Sequence, residues 1–253
     1  MFGSRTKTQS QFERVAEKQY TWRSSDKQFE YYDKEAEKRV ALPSDAILIP
    51  LTSTNSITGV HTVDQNKATE RYNQIYSNEF TDYKSEIIKV RETDKLDGTK
   101  TVIYEGVYSP TIKEAIAAVP WCKFTKNIYC LLDGEVVKLS LSASSLRPWI
   151  DFEDSLRKTH TILTDGHGIK IGKPVQKKNG AVVYFAPSFE LCDVSAEDNA
   201  KADEMAVIVE EKLAKNKLSA GSDPEAPAQV PVNTETPAEP GAGEEISLDE
   251  VPF

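Results

Sequence analysis

The sequence predicts a mainly β body with some α that hands over to a disordered acidic tail, and three observations predict it. Asp97-Gly98, Asp133-Gly134 and Asn179-Gly180 each separate two runs of alternating apolar residues, which is the signature of a tight hairpin. Ser195, with Asp198 three positions on, opens a segment in which Ala202, Met205, Val209 and Leu213 share one helical stripe. From Ser219 to Phe253 there are six of the chain's thirteen prolines and eight acidic residues, with no Lys or Arg and no aromatic before the last position. Such a segment buries too little apolar surface to offset its ordering entropy.

Taken in order, residues 1–20 are polar, with Phe12, Val15 and Ala16 at a spacing a short helix uses, and are expected to form a flexible or helical arm. Strands are expected at Ala46–Leu51, Ile57–Val63 and Glu86–Thr93, the last turning through Asp97-Gly98 into Thr101–Tyr108. Thr111–Val119 places Ile112, Ala115, Ile116 and Val119 on one helical face until Pro120 ends it. A second hairpin runs Lys123–Leu132 into Glu135–Ser142, and a third Gly168–Val175 into Ala181–Phe185. Short strands, regular turns and one intervening helix point to a closed or partly closed β-barrel, with the OB-fold as the natural candidate over residues 21–191. A helix over 192–218, a disordered linker over 219–243 and an acidic tip over 244–253 complete the expected organisation.

Charge is divided unevenly along the chain. Residues 1–188 carry a small excess of basic residues, whereas the net charge of the whole is -9. A mildly basic body with an acidic appendage suits a polyanion-binding protein. Cys122, Cys130 and Cys192 form no C-x-x-C pair and no secretory leader opens the chain, so a reducing, cytoplasmic setting is expected. No apolar run approaches the roughly 20 residues of a membrane helix. His61, His160 and His167 fit no metal-ligand spacing, and neither a phosphate-binding Gly-Lys loop nor a nucleophile elbow occurs. A non-enzyme without cofactor is the expectation.

Binding residues follow from strand alternation, since successive side chains point to opposite faces. With Ile88, Val90, Ile103, Val107, Phe124, Ile128, Cys130, Val137 and Leu139 taken as inward, the opposite faces collect Lys89, Arg91, Tyr104, Tyr108, Trp121, Lys123, Tyr129 and Lys138. Aromatic rings among cations suit a single nucleic-acid strand: bases stack on rings and Lys or Arg neutralises phosphate. A second such cluster contains Trp22, Lys27, Phe29, Tyr31 and Lys34, with packing as the competing reading. Tyr72, Tyr76, Phe80 and Tyr83 are expected on a loop near the nucleic acid.

The last ten residues, Glu244-Glu245-Ile246-Ser247-Leu248-Asp249-Glu250-Val251-Pro252-Phe253, resemble the acidic tip of bacterial and phage single-stranded-DNA-binding proteins. Asp249 and Glu250 match its acidic positions, Val251 its aliphatic one, and Pro252 and Phe253 its terminal pair. Phe29-Glu30-Tyr31-Tyr32-Asp33-Lys34, Gln74-Ile75-Tyr76-Ser77-Asn78-Glu79 and the stretch from Leu139 to Phe152 are similar to the bodies of the tailed-phage members. The resemblance implies coating of single-stranded DNA in the host cytoplasm during replication, recombination or repair. It also implies that the tip binds a polymerase, helicase, primase or nuclease. A strand-annealing protein and a virion or host-interaction protein with a solubilising tail are the alternatives. The segment Ser155–Leu218 lies outside the resemblance and is expected to close the barrel or make a homo-oligomer.

Overall fold

A computed structural model describes residues 13–64, 71–82, 84–94, 96–107, 109, 114 and 122–221. The body is mainly β, with two α-helices among the described residues. Among the described residues there are thirteen strands: β1 (Lys18–Arg23), β2 (Gln28–Asp33), β3 (Lys38–Ala41), β4 (Ile49–Asp64), β5 (Arg71–Ser77), β6 (Ile88–Thr93), β7 (Lys100–Gly106), β8 (Lys123–Leu132), β9 (Glu135–Leu141), β10 (His167–Ile171), β11 (Val175–Asn179), β12 (Val182–Ala186) and β13 (Phe189–Asp193). Helix α1 is Leu146–Lys158 and helix α2 is Ala196–Gly221.

The first nine strands form one sheet in the order β3-β2-β1-β9-β8-β4-β5-β6-β7. All neighbours are antiparallel except β1 and β9, which run parallel. The closed barrel expected from the sequence is not found: among the described residues no ladder joins the two edge strands, β3 and β7. Strand β4 explains how so wide a sheet is assembled. Its 16 residues pair with β8 from Ile49 to Thr58 and then with β5 from Thr58 to Asp64. The two strands expected at Ala46–Leu51 and Ile57–Val63 are therefore one. Its pairing slips between Pro50 and Thr52, where a residue without an N–H interrupts the ladder and a bulge absorbs the defect.

The hairpins at Asp97-Gly98 and Asp133-Gly134 form as expected, with Gly98 and Gly134 at φ 76° and 82°, where a side chain would be strained. The third is nested. Strand β10 pairs with β13, and between them β11 and β12 make a ribbon turning at Asn179-Gly180. Gly172-Lys173-Pro174 breaks what the alternation suggested was one strand from Gly168 to Val175. Strand β1 starts inside the segment expected as an arm, and residues 13–17 are not helical. The helix expected at Thr111–Val119 lies outside the described residues except for Glu114.

Three apolar clusters hold the sheet. On one face Phe29, Leu48, Ile128, Cys130, Val137, Leu139 and Trp149 form the first, with Phe152 and Phe189 closing over Trp149 at ring distances of 5.5 and 5.0 Å. On that same face Ile57, Ile75, Phe80, Ile88, Val90 and Phe124 form the second under Leu146 and Ile150. Helix α1 thus serves both clusters from one stripe. It is absent from the elements expected above, although Leu146, Trp149, Ile150 and Leu156 are its buried residues and Pro148 falls in the first turn, where proline is tolerated.

The third cluster lies on the opposite face, where Ala202, Val209 and Leu213 of α2 cover Ile49, Leu51, Tyr129, Leu131 and Val136. The helix starts at Ala196 rather than 192, on the cap that Ser195 and Asp198 offer: Asp198 N–H donates to Ser195 Oγ at 3.1 Å, and the Ser195 hydroxyl donates to Asp198 Oδ2 at 2.7 Å. Its far end is tied to the segment before β6. Lys217 Nζ lies 2.8 Å from Glu86, whose carboxylate also accepts from the Thr81 and Asp82 backbone N–H groups at 3.0 and 2.9 Å.

Burial pushes the Glu86 carboxyl up, but the hydrogen bonds from Lys217, Thr81 and Asp82 outweigh it and bring it from its ordinary 4.5 down to about 2. A depressed carboxyl contributes stability that is present above its unfolded value and is lost as the pH falls through its folded one. Thermal midpoints measured in steps from pH 5 to pH 2 are expected to fall less steeply for Glu86→Gln than for the parent chain. Equal slopes would remove Glu86 from the acid response.

Candidate nucleic-acid interface

The face of the sheet opposite α1 is largely polar where α2 does not cover it, with Val60 of β4 exposed within it. Register places Lys123 of β8 beside Thr58 of β4, Thr58 beside Tyr76 of β5, and Tyr76 beside Arg91 of β6. These four residues make one row across four strands, about 14 Å long at the usual spacing between strands. Lys123 is exposed and Tyr76 half-buried, while Arg91 is only 7% exposed. Lys89, two residues before Arg91, shares its face and sits 3.1 Å from Glu105 on β7. Thr58 was not singled out by the sequence reading, since a hydroxyl carries no charge or ring to flag it. Its hydroxyl lies 2.7 Å from that of Thr125.

Deeper in the same face the polar groups bind each other. Gln19 donates to Ser140 Oγ, Ser140 to Asn127 Oδ1, and Asn127 to Ser56 Oγ, each at 3.0 Å. Asn127, Ser140 and Ser56 are buried, so this chain satisfies groups that would otherwise be costly to desolvate. Beside it Glu79 accepts hydrogen bonds from Thr54 at 2.5 Å, Tyr129 at 2.8 Å and Lys138 at 3.1 Å. Burial, and then the Glu79 charge, push the Tyr129 phenol well above its ordinary value.

Several residues expected to meet nucleic acid are claimed by packing. Tyr129 does lie opposite Cys130, but α2 covers that part of the face and leaves it 2% exposed. Lys138 is spent on Glu79. Phe29 is 1% exposed in the first cluster, with Trp22 edge-on to it at 5.1 Å. The Trp22 indole N–H donates to the Phe185 carbonyl at 2.9 Å. Tyr31 packs against the same cluster and stands edge-on to Tyr20 at 5.2 Å. Tyr104 was expected opposite Ile103. The slip between Val90 and Arg91 pairs it with Val90, and both Tyr104 and Ile103 pack on the second cluster. Phe80 is fully buried there, and Tyr76 sits on a strand rather than a loop.

Lys27 and Lys34 are exposed in the turns flanking β2, and Lys27 Nζ lies 3.9 Å above the Phe185 ring. Tyr108, Trp121 and the tip residues Asp249, Glu250, Val251, Pro252 and Phe253 lie outside the described residues. Burial raises the thiols, Cys122 to about 11, so it stays protonated at neutral pH. No group of His, Cys, Asp and Glu suited to a metal occurs among the described residues, and no described helix is long and apolar enough to cross a membrane.

Compared with protein-family models, with curated proteins and with solved structures, the chain has no match.

Phe29→Ala should cost about 3 to 5 kcal/mol in urea unfolding, as expected for a core aromatic. Tyr129→Phe should remain folded and leave affinity for oligo-dT unchanged. A large loss of affinity in folded Tyr129→Phe would return that residue to the interface.

Proposed function

We propose that this chain binds single-stranded DNA with little sequence preference through the polar face of its sheet, and that its acidic tip recruits replication or recombination proteins. The observation that carries the reading is the row Lys123–Thr58–Tyr76, which ends on the largely buried Arg91, while Lys89 beside it is held by Glu105. The row alternates a cation, a hydroxyl, a ring and a cation at strand spacing. Its accessible members, Lys123 and Tyr76, offer a cation to phosphate and a ring to a base face without reading a base edge, so affinity depends on salt more than on sequence.

The OB-like character of the body belongs to the same proposal. What supports it is the long, bulged β4 shared between two neighbours, and the β8–β9 hairpin laid against it. Support for the tip comes from its own chemistry. A terminal aromatic and an aliphatic residue among carboxylates can fill an apolar pocket rimmed by Lys and Arg. The likeness of that tip and of the body segments to phage single-stranded-DNA-binding proteins points the same way.

Fluorescence anisotropy of labelled oligo-dT, with duplex of equal length as competitor, tests the reading. Tight binding that weakens with salt and resists duplex is expected. Tyr76→Ala should remove about 1 to 3 kcal/mol of it, the worth of one base stack. Lys123→Gln should reduce the salt slope by about 0.7, one phosphate contact on a single strand. Absence of binding at low salt would discard the proposal.

A further inference from the structure

Residues 166–189 contain four lysines and neither Asp nor Glu, in a chain of 253 residues that holds 40 acidic ones. Lys170 lies opposite Glu190 on the paired strand β13. Lys173, Lys177 and Lys178 have no such neighbour in register and make no ion pair with a described residue; the first and last are exposed and Lys177 is half-buried. They lie on or just before the β11–β12 ribbon, a two-stranded sheet of its own. At its tip Val182 and Val183 are 54% and 51% exposed. Three cations on a ribbon that carries no acidic residue of its own repel one another, with the Glu190 carboxylate beside Gly172 as the near acidic group at its base, and the unfolded chain would relieve that repulsion.

The base of the ribbon is nevertheless fixed. Phe185 N–H donates to Ser24 Oγ at 2.9 Å, its carbonyl accepts from the Trp22 indole at 2.9 Å, and Lys27 lies over its ring. These three contacts all come from the end of β1 and the turn that follows it. Strand β1 runs parallel to β9, with Thr21 beside Ser140, and β9 runs antiparallel to β8, with Ser140 beside Asn127. The β1–β2 turn therefore sits at the end of the sheet where β8 begins at Lys123. The anchored ribbon and the row share that end but not a face: Trp22 packs on the α1 face, so a nucleic-acid strand passing from the row to the ribbon turns around the end of the sheet.

We propose that the β11–β12 ribbon is a second contact for the same nucleic-acid strand, an arm whose Lys173, Lys177 and Lys178 take phosphates of the segment leaving the sheet beside Lys123. Tyr184, across from Lys177, and Val182 give apolar contact on one face of the ribbon, and Val183, across from Lys178, gives it on the other. The proposal rests on the single-strand reading above. It adds three phosphate contacts that strand alternation in the main sheet does not contain, and it gives the acid-free sequence a role.

The test is a salt series of oligo-dT anisotropy with the full chain and with K173Q/K177Q/K178Q. Because each phosphate contact on a single strand contributes about 0.7 to the slope of log affinity against log salt, the triple variant should lose about 2 from that slope. It should also bind about tenfold more weakly at low salt, with a thermal midpoint equal to or above that of the parent. Should the variant's midpoint fall, photo-cross-linking of thio-dT to the parent chain decides instead, with adducts expected within Val175–Ala186. A parent that binds and a triple variant with the same slope would overturn the arm alone. A parent that does not bind single strands would overturn the arm together with the reading beneath it.

Discussion

Strand β8 is buried on both faces, and this constraint sorts the rest of the chain. Ile128 and Cys130 face the first apolar cluster, while Tyr129 and Leu131 face α2. A strand covered twice must find partners for every backbone group at its edges, which β4 and β9 supply. Its polar residues must also be satisfied from within, and Asn127 is bound by Ser56 and Ser140. Only where the cover ends, towards Lys123, does the polar face open to solvent. The position of the candidate interface is thus a consequence of where α2 stops.

Much of the fold was legible because local chemistry decides it. Two Asp-Gly turns and one Asn-Gly turn marked three hairpin tips, and Ser195 with Asp198 marked the cap of α2, whose expected span of 192–218 is 196–221 in the structure. Alternation also placed Lys89, Arg91, Lys123, Tyr129 and Lys138 correctly opposite the first two clusters. What alternation does not contain is whether a face is covered. Tyr129 and Lys138 are on the polar face but beneath α2 or against Glu79, and only long-range packing reveals that. Trp22, Phe29 and Tyr31 went to the packing alternative for the same reason in reverse: a ring among charges reads as exposed, yet β1 and β2 turn these rings onto one another, Phe189 and Tyr20. Helix α1 was missed although Leu146, Trp149 and Ile150 announce it, because the neighbouring strand pattern of β9 runs directly into it.

Bulges account for most of the remaining departures. The slip at Pro50 lets one long strand do the work expected of two, and the slip after Val90 rotates Tyr104 into the second cluster. A one-residue offset exchanges the two faces, so a reading by alternation inverts beyond each bulge. The lysines of the β11–β12 ribbon escaped notice because their significance lies in what is missing around them. An absence of acidic residues is visible in sequence only when it is looked for.

The central claim is that the uncovered polar face, and not the cluster around Trp22 and Phe29, meets the nucleic acid. Hydrogen exchange of the full chain with and without oligo-dT tests it most directly, since it reports on backbone along the entire chain at once. The account predicts added protection at Asn55–Val60 of β4, in β5, in β6 and at the start of β8, with the strands around Phe29 unchanged. Protection confined to β2 and β3, or none anywhere at saturating oligonucleotide, would contradict it.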